Sequence, residues 1–398
     1  MRYDLIIVGG GLVGAGLAVA LRHANVRIAL IDARLPANDD PRLFALNHSS
    51  CQFLANLGVW PALASHAAPI HAVHVSHQGK FGAVNLNRED LQLSDLGHVI
   101  PAKLIEAELN AALQTLSNVT LFRPAKLKQL SQQNNVATLV IDTESGEKTL
   151  SAPLVVGADG TDSTVRTQLN IPADVYDYAQ NALVTRTTLQ RSHHHIAYER
   201  FHANGAIAML PLAENECATI WSADHDKIQY LQSLSDAEFL QVLQKEFGYR
   251  LGRLLAVSQR HVFPLRMVKA QKAVEQCVYL LGNSAHTLHP VAAQGFNLAV
   301  YEVAALVEGL MQKTSRHEIF SQDDLMKIHE ETQKQQHASI FISHRLTQLF
   351  SHESTIKSMA VQLGMIALDI ANPVKRKFIQ MMLGRTKHSP RLLLSVNE

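Results

Sequence analysis

The sequence predicts an α/β fold, a doubly wound dinucleotide-binding domain with an inserted β-rich domain and a helical C-terminal tail. Three observations predict it. The chain opens on a strand, a glycine turn, a helix and a second strand that ends in an acid. Two later strand ends also run into a turn and then a helix, and the stretch between those two alternates with the period of strands.

Residues 5–8 (LIIV) are a short unbroken apolar run, as suits a parallel strand buried on both faces. Gly9, Gly11 and Gly14 follow as GxGxxG. The first glycine permits a tight turn, the second lets backbone approach a pyrophosphate, and the third lets helix and strand pack closely. Phosphates on such a turn meet unpaired N–H groups at the helix N-terminus. Residues 13–22 favour helix, 26–31 form a second apolar strand, and Asp32 closes it 18 positions after Gly14, where an acid can accept from ribose hydroxyls. A lone GxGxxG is weak, but here the strand before, the helix after and the acid beyond supply its context. The motif serves FAD and NAD alike, since both present an adenosine diphosphate.

Composition sets outer bounds. A chain of 398 residues, 47% hydrophobic and 18% charged, suits a globular enzyme of two or three domains. A formal net charge of +1 argues against a nucleic-acid partner. Cys51, Cys217 and Cys277 are odd in number and far apart, so they give neither a disulfide framework nor metal spacing and fit a reducing cytoplasm. Asp4 interrupts the opening, so no signal peptide is expected there, and no run of about 18 apolar residues spans a membrane.

After Asp32 a polar loop carries Arg42, close enough to the nucleotide acid to reach an anionic phosphate, and leads into a helix at 47–57. Short strand pieces (AVHVSH, FGAVNL) occupy 70–93, an excursion into a second sheet, before a helix at 103–116. Strands at 136–141 and 154–156 resume, the latter running into GADGTDSTVR at 157–166, with Asp159 and Gly160 in the turn and a helix starting near Asp162 or Ser163. From 181 to 263 the pattern is mostly strand, with a helix at 236–247. His193, His194 and His195 fall in this strand pattern and form no metal site, because adjacent strand residues point to opposite faces. In 277–306 a buried strand ends at Gly282, a polar loop carries His286, His289 and Pro290, and a helix begins near Gly295 or Phe296, flanked by Gln294 and Asn297, whose amides can bond a neutral heterocycle. No second GxGxxG appears, so one bound dinucleotide is the economical count.

GGGLVGAGLA with Asp32, GADGTDSTVR, and GNSAHTLHPVAAQGFNLAVYEV resemble the three FAD motifs of the flavoprotein aromatic hydroxylases, the group typified by p-hydroxybenzoate hydroxylase. Within it the wording GN, TLHP and QGFNL is most similar to the ubiquinone-biosynthesis hydroxylases, in particular the 2-polyprenyl-6-methoxyphenol hydroxylase branch. The resemblance implies that Gly9, Gly11 and Gly14 cradle the FAD pyrophosphate, that Asp32 binds the adenosine ribose and that Arg42 contacts FAD. It places Asp159 and Gly160 along FAD and a passage for nicotinamide, Gly282 and Asn283 at the ribityl-pyrophosphate region, and Pro290, Gln294, Gly295 and Asn297 around the isoalloxazine ring. Asn283 stands where most of the wider group has Asp, Ala293 and Ala299 replace glycines, and Glu302 replaces Asp. If position 293 needs φ > 0, its alanine costs on the order of 1 kcal/mol or more.

The implied organisation is an FAD-binding domain from 1–70, 98–180 and 268–320, a substrate domain from 71–97 and 181–267, and a tail at 321–398. The implied reaction uses NAD(P)H to reduce FAD and O2 to hydroxylate an electron-rich polyprenyl phenol, with no side-chain nucleophile. His289, in the loop expected over the flavin, is the candidate for orienting or deprotonating the phenol, with His286 as runner-up. A same-fold flavoenzyme of another aromatic or prenyl lipid, and a non-catalytic FAD-bearing subunit of a quinone-biosynthesis complex, remain as alternatives. In the tail, an apolar helix at 356–370 and the basic stretch KRKFIQMMLGR fit packing on the body, a second subunit or an anionic membrane surface peripheral to the inner membrane.

Overall fold

The computed structural model describes residues 1–35, 40–203, 205–289, 291–315, 320–350, 355–385 and 389–395. Among them a six-stranded sheet runs in the order Val274–Glu275, Val278–Leu280, Val155–Gly157, Leu5–Val8, Ile28–Ile31, Val119–Phe122, parallel except for its first strand. Leu5 to Val8 are at most 5% exposed, because both faces of the sheet are covered. Helices Leu12–Ala20, Ala102–Gln114 and Gln294–Ser315 pack on the face of Leu5 and Ile7. A small antiparallel sheet of Ala125–Gln133, Val136–Thr143 and Gly146–Ala152 packs on the face of Ile6 and Val8. The sequence showed only 136–141 of this hairpin pair, since the alternation in AKLKQLSQQ is broken by charged and amide side chains. Each large aliphatic side chain so enclosed contributes about 1.5–3 kcal/mol, which makes these strands, rather than the glycine turn, the frame of the domain.

The second large sheet has nine strands. Ala173–Leu189 is its long member, starting before the expected position 181 and pairing with His261–Ala270, Glu216–Asp224 and Leu254–Val257. Gly205–Pro211 and Ile196–His202 follow, and Ile196–His202 pairs in parallel with Ala72–His77, so the early excursion does enter this sheet. One face packs on helices His225–Ser233 and Asp236–Phe247 through Trp221, Phe239 and Phe247. The other face carries Ala197, Phe201 and Ala206 toward Val291 and the tail.

His193 to His195 lie in a turn, not on a strand, with φ of 50° at His194 and 59° at His195. The geometric reason for dismissing a metal there was therefore wrong, although among the described residues no His, Cys, Asp or Glu group is placed to hold a metal. His193 Nε2 instead bonds the Ala213 carbonyl at 2.7 Å.

The tail forms helices Gln322–Phe350, Thr355–Ile370 and Asn372–Met382. It packs on the body: Leu325 and Ile328 join the nucleotide-domain core, while Met365, Ile379 and Leu383 join Ile70, Val84 and Leu86. Among the described residues no helix is long and apolar enough to cross a membrane.

Candidate active site

The first turn is shaped by what cannot fit in it. A Cβ at Gly14 would lie 1.9 Å from the Gly9 carbonyl oxygen, and one at Gly9, whose φ is 107°, would lie 2.3 Å from the Ala158 oxygen. Gly11 faces open space and leaves the N-terminus of Leu12–Ala20 without a side-chain cap. A compact backbone on one side and an open helix end on the other fit a pyrophosphate.

Asp32 sits beside this turn, where the sequence places it, but it is not alone. Arg123 pairs with it at 3.0 Å, donates to the Gly10 carbonyl at 3.2 Å and to Asn110 Oδ1 at 2.7 Å. Arg123 follows the strand Val119–Phe122, which lies next to Ile28–Ile31, so both residues stand at the carboxyl ends of adjacent parallel strands. Sequence reasoning missed it; the signal was a lone cation directly after an apolar strand. Arg42 is held by Asp40, donating to its carboxylate from Nε at 2.9 and 3.0 Å and from Nη2 at 2.6 Å. That pairing keeps the Asp40 carboxyl below its usual range even against the opposing effect of burial.

The second and third stretches are bolted together. Asp159 accepts from the Ser163 hydroxyl at 2.6 Å and the Val165 N–H at 3.0 Å, so its carboxylate braces its own turn, while Gly160 beside it faces open space at φ 88°. Arg166 donates to the Ser284 carbonyl at 2.9 Å and the Thr161 carbonyl at 2.8 Å, and the Thr161 and Thr287 hydroxyls meet at 2.9 Å. Gly282, at φ 58°, gives its N–H to Glu302 at 3.2 Å, and Glu302 also holds His286 Nε2 at 2.6 Å and Gln336 at 3.1 Å. His286 and Glu302 are 1% and 2% exposed, so His286 is engaged in this buried knot. Asn283 is exposed beside Gly282.

The two amides expected at the ring are used inside the protein. Asn297 donates to Ala45 O at 3.0 Å and Ala293 O at 2.7 Å, and its oxygen accepts from the Asn47 N–H at 3.0 Å and the Ser50 hydroxyl at 2.7 Å. Gln294 is 3% exposed and accepts from Ser339 of the tail at 3.2 Å. Asn297 thus uses both donors and both acceptor sites of its amide within the protein, while Gln294 ties the loop to the tail. Gly295 does face open space. Pro290 lies outside the described residues. Ala293 has φ 49°, so the alanine does occupy a conformation that glycine adopts more readily. His289 is 1% exposed, its Nδ1 accepts from the Val291 N–H at 3.2 Å, and its ring stands edge-on to Tyr178 at 4.7 Å between centroids. Burial pushes that tyrosine hydroxyl up to about 12.

The sheet face that meets this loop is apolar: Val73, Val75, Ala197, Phe201, Ala206 and Leu210 belong with Val291 to one cluster. Glu199 stands between Ala197 and Phe201 on the same strand face, flanked across the ladder by Ala208 and Val75. Burial alone pushes its carboxyl up to about 7.

A family model described as an FAD binding domain matches residues 2–318. The chain is 30% identical over 393 residues to the ubiquinone hydroxylase UbiL of Rhodospirillum rubrum, covering 97% of this chain and 91% of that one. It is 28% identical over 391 residues to the 3-demethoxyubiquinol 3-hydroxylase of Escherichia coli, covering 96% and 98%. In fold it is similar to the crystal structure of p-nitrophenol 4-monooxygenase PnpA from Pseudomonas putida, with a TM-score of 0.80 at 17% identity over 97% of this chain and 99% of the other.

Proposed function

The chain belongs to this FAD-binding family and is an FAD-dependent monooxygenase, and from that premise we propose that it hydroxylates the ring of a polyprenyl phenol, 2-polyprenyl-6-methoxyphenol, in ubiquinone biosynthesis with NAD(P)H and O2. The observation that carries the reading is an apolar sheet face set against the loop that follows Gly282, which suits an aromatic head with a hydrocarbon chain. When bound, FAD supplies acceptance of a hydride from NAD(P)H and activation of O2. Gly9, Gly11 and Gly14 would take the pyrophosphate, Asp32 with Arg123 the adenosine ribose, and Gly160, Gly282, Asn283 and Gly295 the open edges along the cofactor. Arg42 would reach it only by leaving Asp40. The packed cluster around Val291 and Phe201 keeps water from the reacting ring.

His289 enters this reading as a positioning residue. Its Nδ1 bond to Val291 supports a role in holding the loop rather than in taking a proton, so His289→Asn is expected to keep the pH profile of turnover and to lower its rate only modestly. A changed profile would restore the general-base role.

The ring position is the open competitor. The Escherichia coli relative is named for demethoxyubiquinol, which makes that compound the second candidate. The test is to give the FAD-loaded protein NADH or NADPH, O2 and each compound in parallel and to weigh the products. A product one oxygen heavier from the methoxyphenol supports the proposal, one from demethoxyubiquinol alone moves the reaction to that substrate, and none from either overturns it.

A bilayer-resident substrate also gives a use to the outer side of the tail. Leu363, Ile370 and Val374 are 57%, 74% and 59% exposed, with Arg376 and Lys377 exposed beside them. The acid of this region, Asp369, turns inward to the Asn85 N–H at 2.8 Å and Lys375 at 4.0 Å. Such a face fits peripheral contact with an anionic membrane. Truncation before 373 would remove the buried Ile379 and Leu383, so the cleaner test is flotation of Leu363→Glu/Ile370→Glu with anionic and with uncharged vesicles. Flotation equal to the parent removes the membrane role, and a parent that does not float but weighs as a dimer assigns the face to a second copy.

A further inference from the structure

We propose that Glu199 is the acceptor of the substrate's phenolic proton. The inference rests on the hydroxylase reading above and on the placement of one side chain. The strand Ile196–His202 alternates, so Ala197, Glu199 and Phe201 share the face toward Val291 and the loop after Gly282, while Tyr198 and Arg200 point to the opposite face. That opposite face is confirmed by Tyr198, whose ring stands edge-on to Phe247 of the far helices at 5.9 Å. Glu199 is therefore the acidic member of a largely apolar wall, which also carries His77 opposite Phe201 on the neighbouring strand. It keeps partial exposure although its neighbours on that face, Ala197 and Phe201, are 3% and 2% exposed.

Its surroundings leave it available. Among the described residues its carboxyl accepts no hydrogen bond and meets no cation, and burial is the only influence on its proton affinity. Val75 and Ala208 flank it, His77 stands opposite Phe201 on the neighbouring strand, the loop brings His289, bonded to Val291 and edge-on to Tyr178, and the tail brings Lys375, paired with Asp90 at 3.5 Å and Asp369 at 4.0 Å. On the strand itself Arg200 donates to the Glu246 carbonyl at 3.0 Å on the far side, and His202 stands edge-on to Trp221 at 6.4 Å there. A buried carboxylate without a partner is unstable in an apolar cleft, and a donor that enters with the substrate relieves it.

The step conserves charge. The phenol O–H bond breaks, its proton passes to a carboxylate oxygen of Glu199, and the negative charge moves from the carboxylate to the phenolate without any new charge being created in the cleft. The phenolate is the more electron-rich ring toward an electrophilic oxygen. A carboxyl near 7 is a far better base for this transfer than an exposed glutamate, whose value is 4.5.

The experiment compares wild type, Glu199→Gln and Glu199→Asp, each loaded with FAD, using a short-chain 2-prenyl-6-methoxyphenol. The binding arm is anaerobic and without NAD(P)H: the ultraviolet difference spectrum reports whether the bound phenol donates to a carboxylate. With the carboxyl at about 7 and a free phenol at about 10, the resting ligand stays a neutral phenol, and above pH of about 7 its absorption is expected to shift to the red in wild type, in part in Glu199→Asp and not in Glu199→Gln. In turnover, Glu199→Gln is expected to lose about 10²–10⁴-fold in product formation and to lose the rising limb of the pH profile near 7, while flavin content stays at the parent value. The same bound-ligand spectrum in wild type and Glu199→Gln, or a rising limb near 7 that persists in Glu199→Gln, overturns the assignment. Failure of wild type to hydroxylate would count against the hydroxylase reading, and the spectra would still decide the role of Glu199.

Discussion

The turn at 9–14 and the loop at 286–297 both face the proposed dinucleotide, and they are built in opposite ways. The first consists of backbone, with glycines where any side chain would collide and an open helix end in front. The second consists of polar side chains that bond one another and the tail, through Asn297, Gln294, His286 and Glu302. A motif whose function is to be empty can be read from sequence, because the missing Cβ is itself the signal. A motif of amides and imidazoles cannot be read the same way, because each such group serves a ligand or its neighbours equally well.

The comparison is most exposed to Gly14→Val. The new side chain must displace the Gly9 carbonyl, so the variant is expected to emerge colourless and destabilised by about 4 kcal/mol or more. Full flavin absorbance per chain would show that the turn tolerates what its geometry forbids.

Asn297→Ala tests the other half. It strips partners from the Asn47 N–H, the Ser50 hydroxyl and the Ala45 and Ala293 carbonyls, and at about 1–3 kcal/mol for a buried unsatisfied group the total is expected to be near 3 kcal/mol. A urea midpoint at the parent value, together with a shifted flavin spectrum, would mean that the amide serves the ring after all.

Glu199 sharpens the contrast as a polar side chain whose carboxyl has no hydrogen-bond partner among the described residues. In the native state it keeps its proton up to about 7, whereas an unfolded glutamate releases it near 4.5, so the native state binds more protons in that window and stability falls as pH rises through it. Glu199→Gln should lack this slope, a difference on the order of 2 kcal/mol across the window once partial exposure is discounted. Parallel stability curves for the two proteins would place the carboxyl in water.

The smallest effect belongs to Ala293→Gly. Relief of the positive φ is partly offset by glycine's greater freedom when unfolded, which leaves a gain of up to about 1 kcal/mol with flavin content unchanged. A loss of stability would show that the Ala293 methyl contributes packing the strain argument ignores.

Legibility followed the same division. The strands Leu5–Val8 and Ile28–Ile31, the helix Asp236–Phe247 and the three cofactor stretches were visible because burial on both faces, amphipathic spacing and glycine steric demand each leave a pattern in neighbouring residues. Arg123 and Glu199 were not visible, because their roles depend on residues far along the chain: Arg123 meets Asp32 only through the pairing of Ile28–Ile31 with Val119–Phe122. The polar strand Ala125–Gln133 escaped for a different reason, since only one of its faces touches apolar neighbours.

The parallel contact between Ala72–His77 and Ile196–His202 has a consequence for how the chain is made. The early hairpin leaves the ribosome well before its partner exists, and at roughly 5–20 residues per second the intervening segment takes on the order of ten seconds to synthesise. During that interval an apolar strand edge waits unpaired, the condition under which strands seek neighbours in other chains. The same separation gives the sheet a high proportion of long-range contacts, so refolding of the isolated polypeptide is expected to be slow and concentration-sensitive, and the stretch 181–267 expressed by itself is expected to aggregate for want of the edge that Ala72–His77 covers.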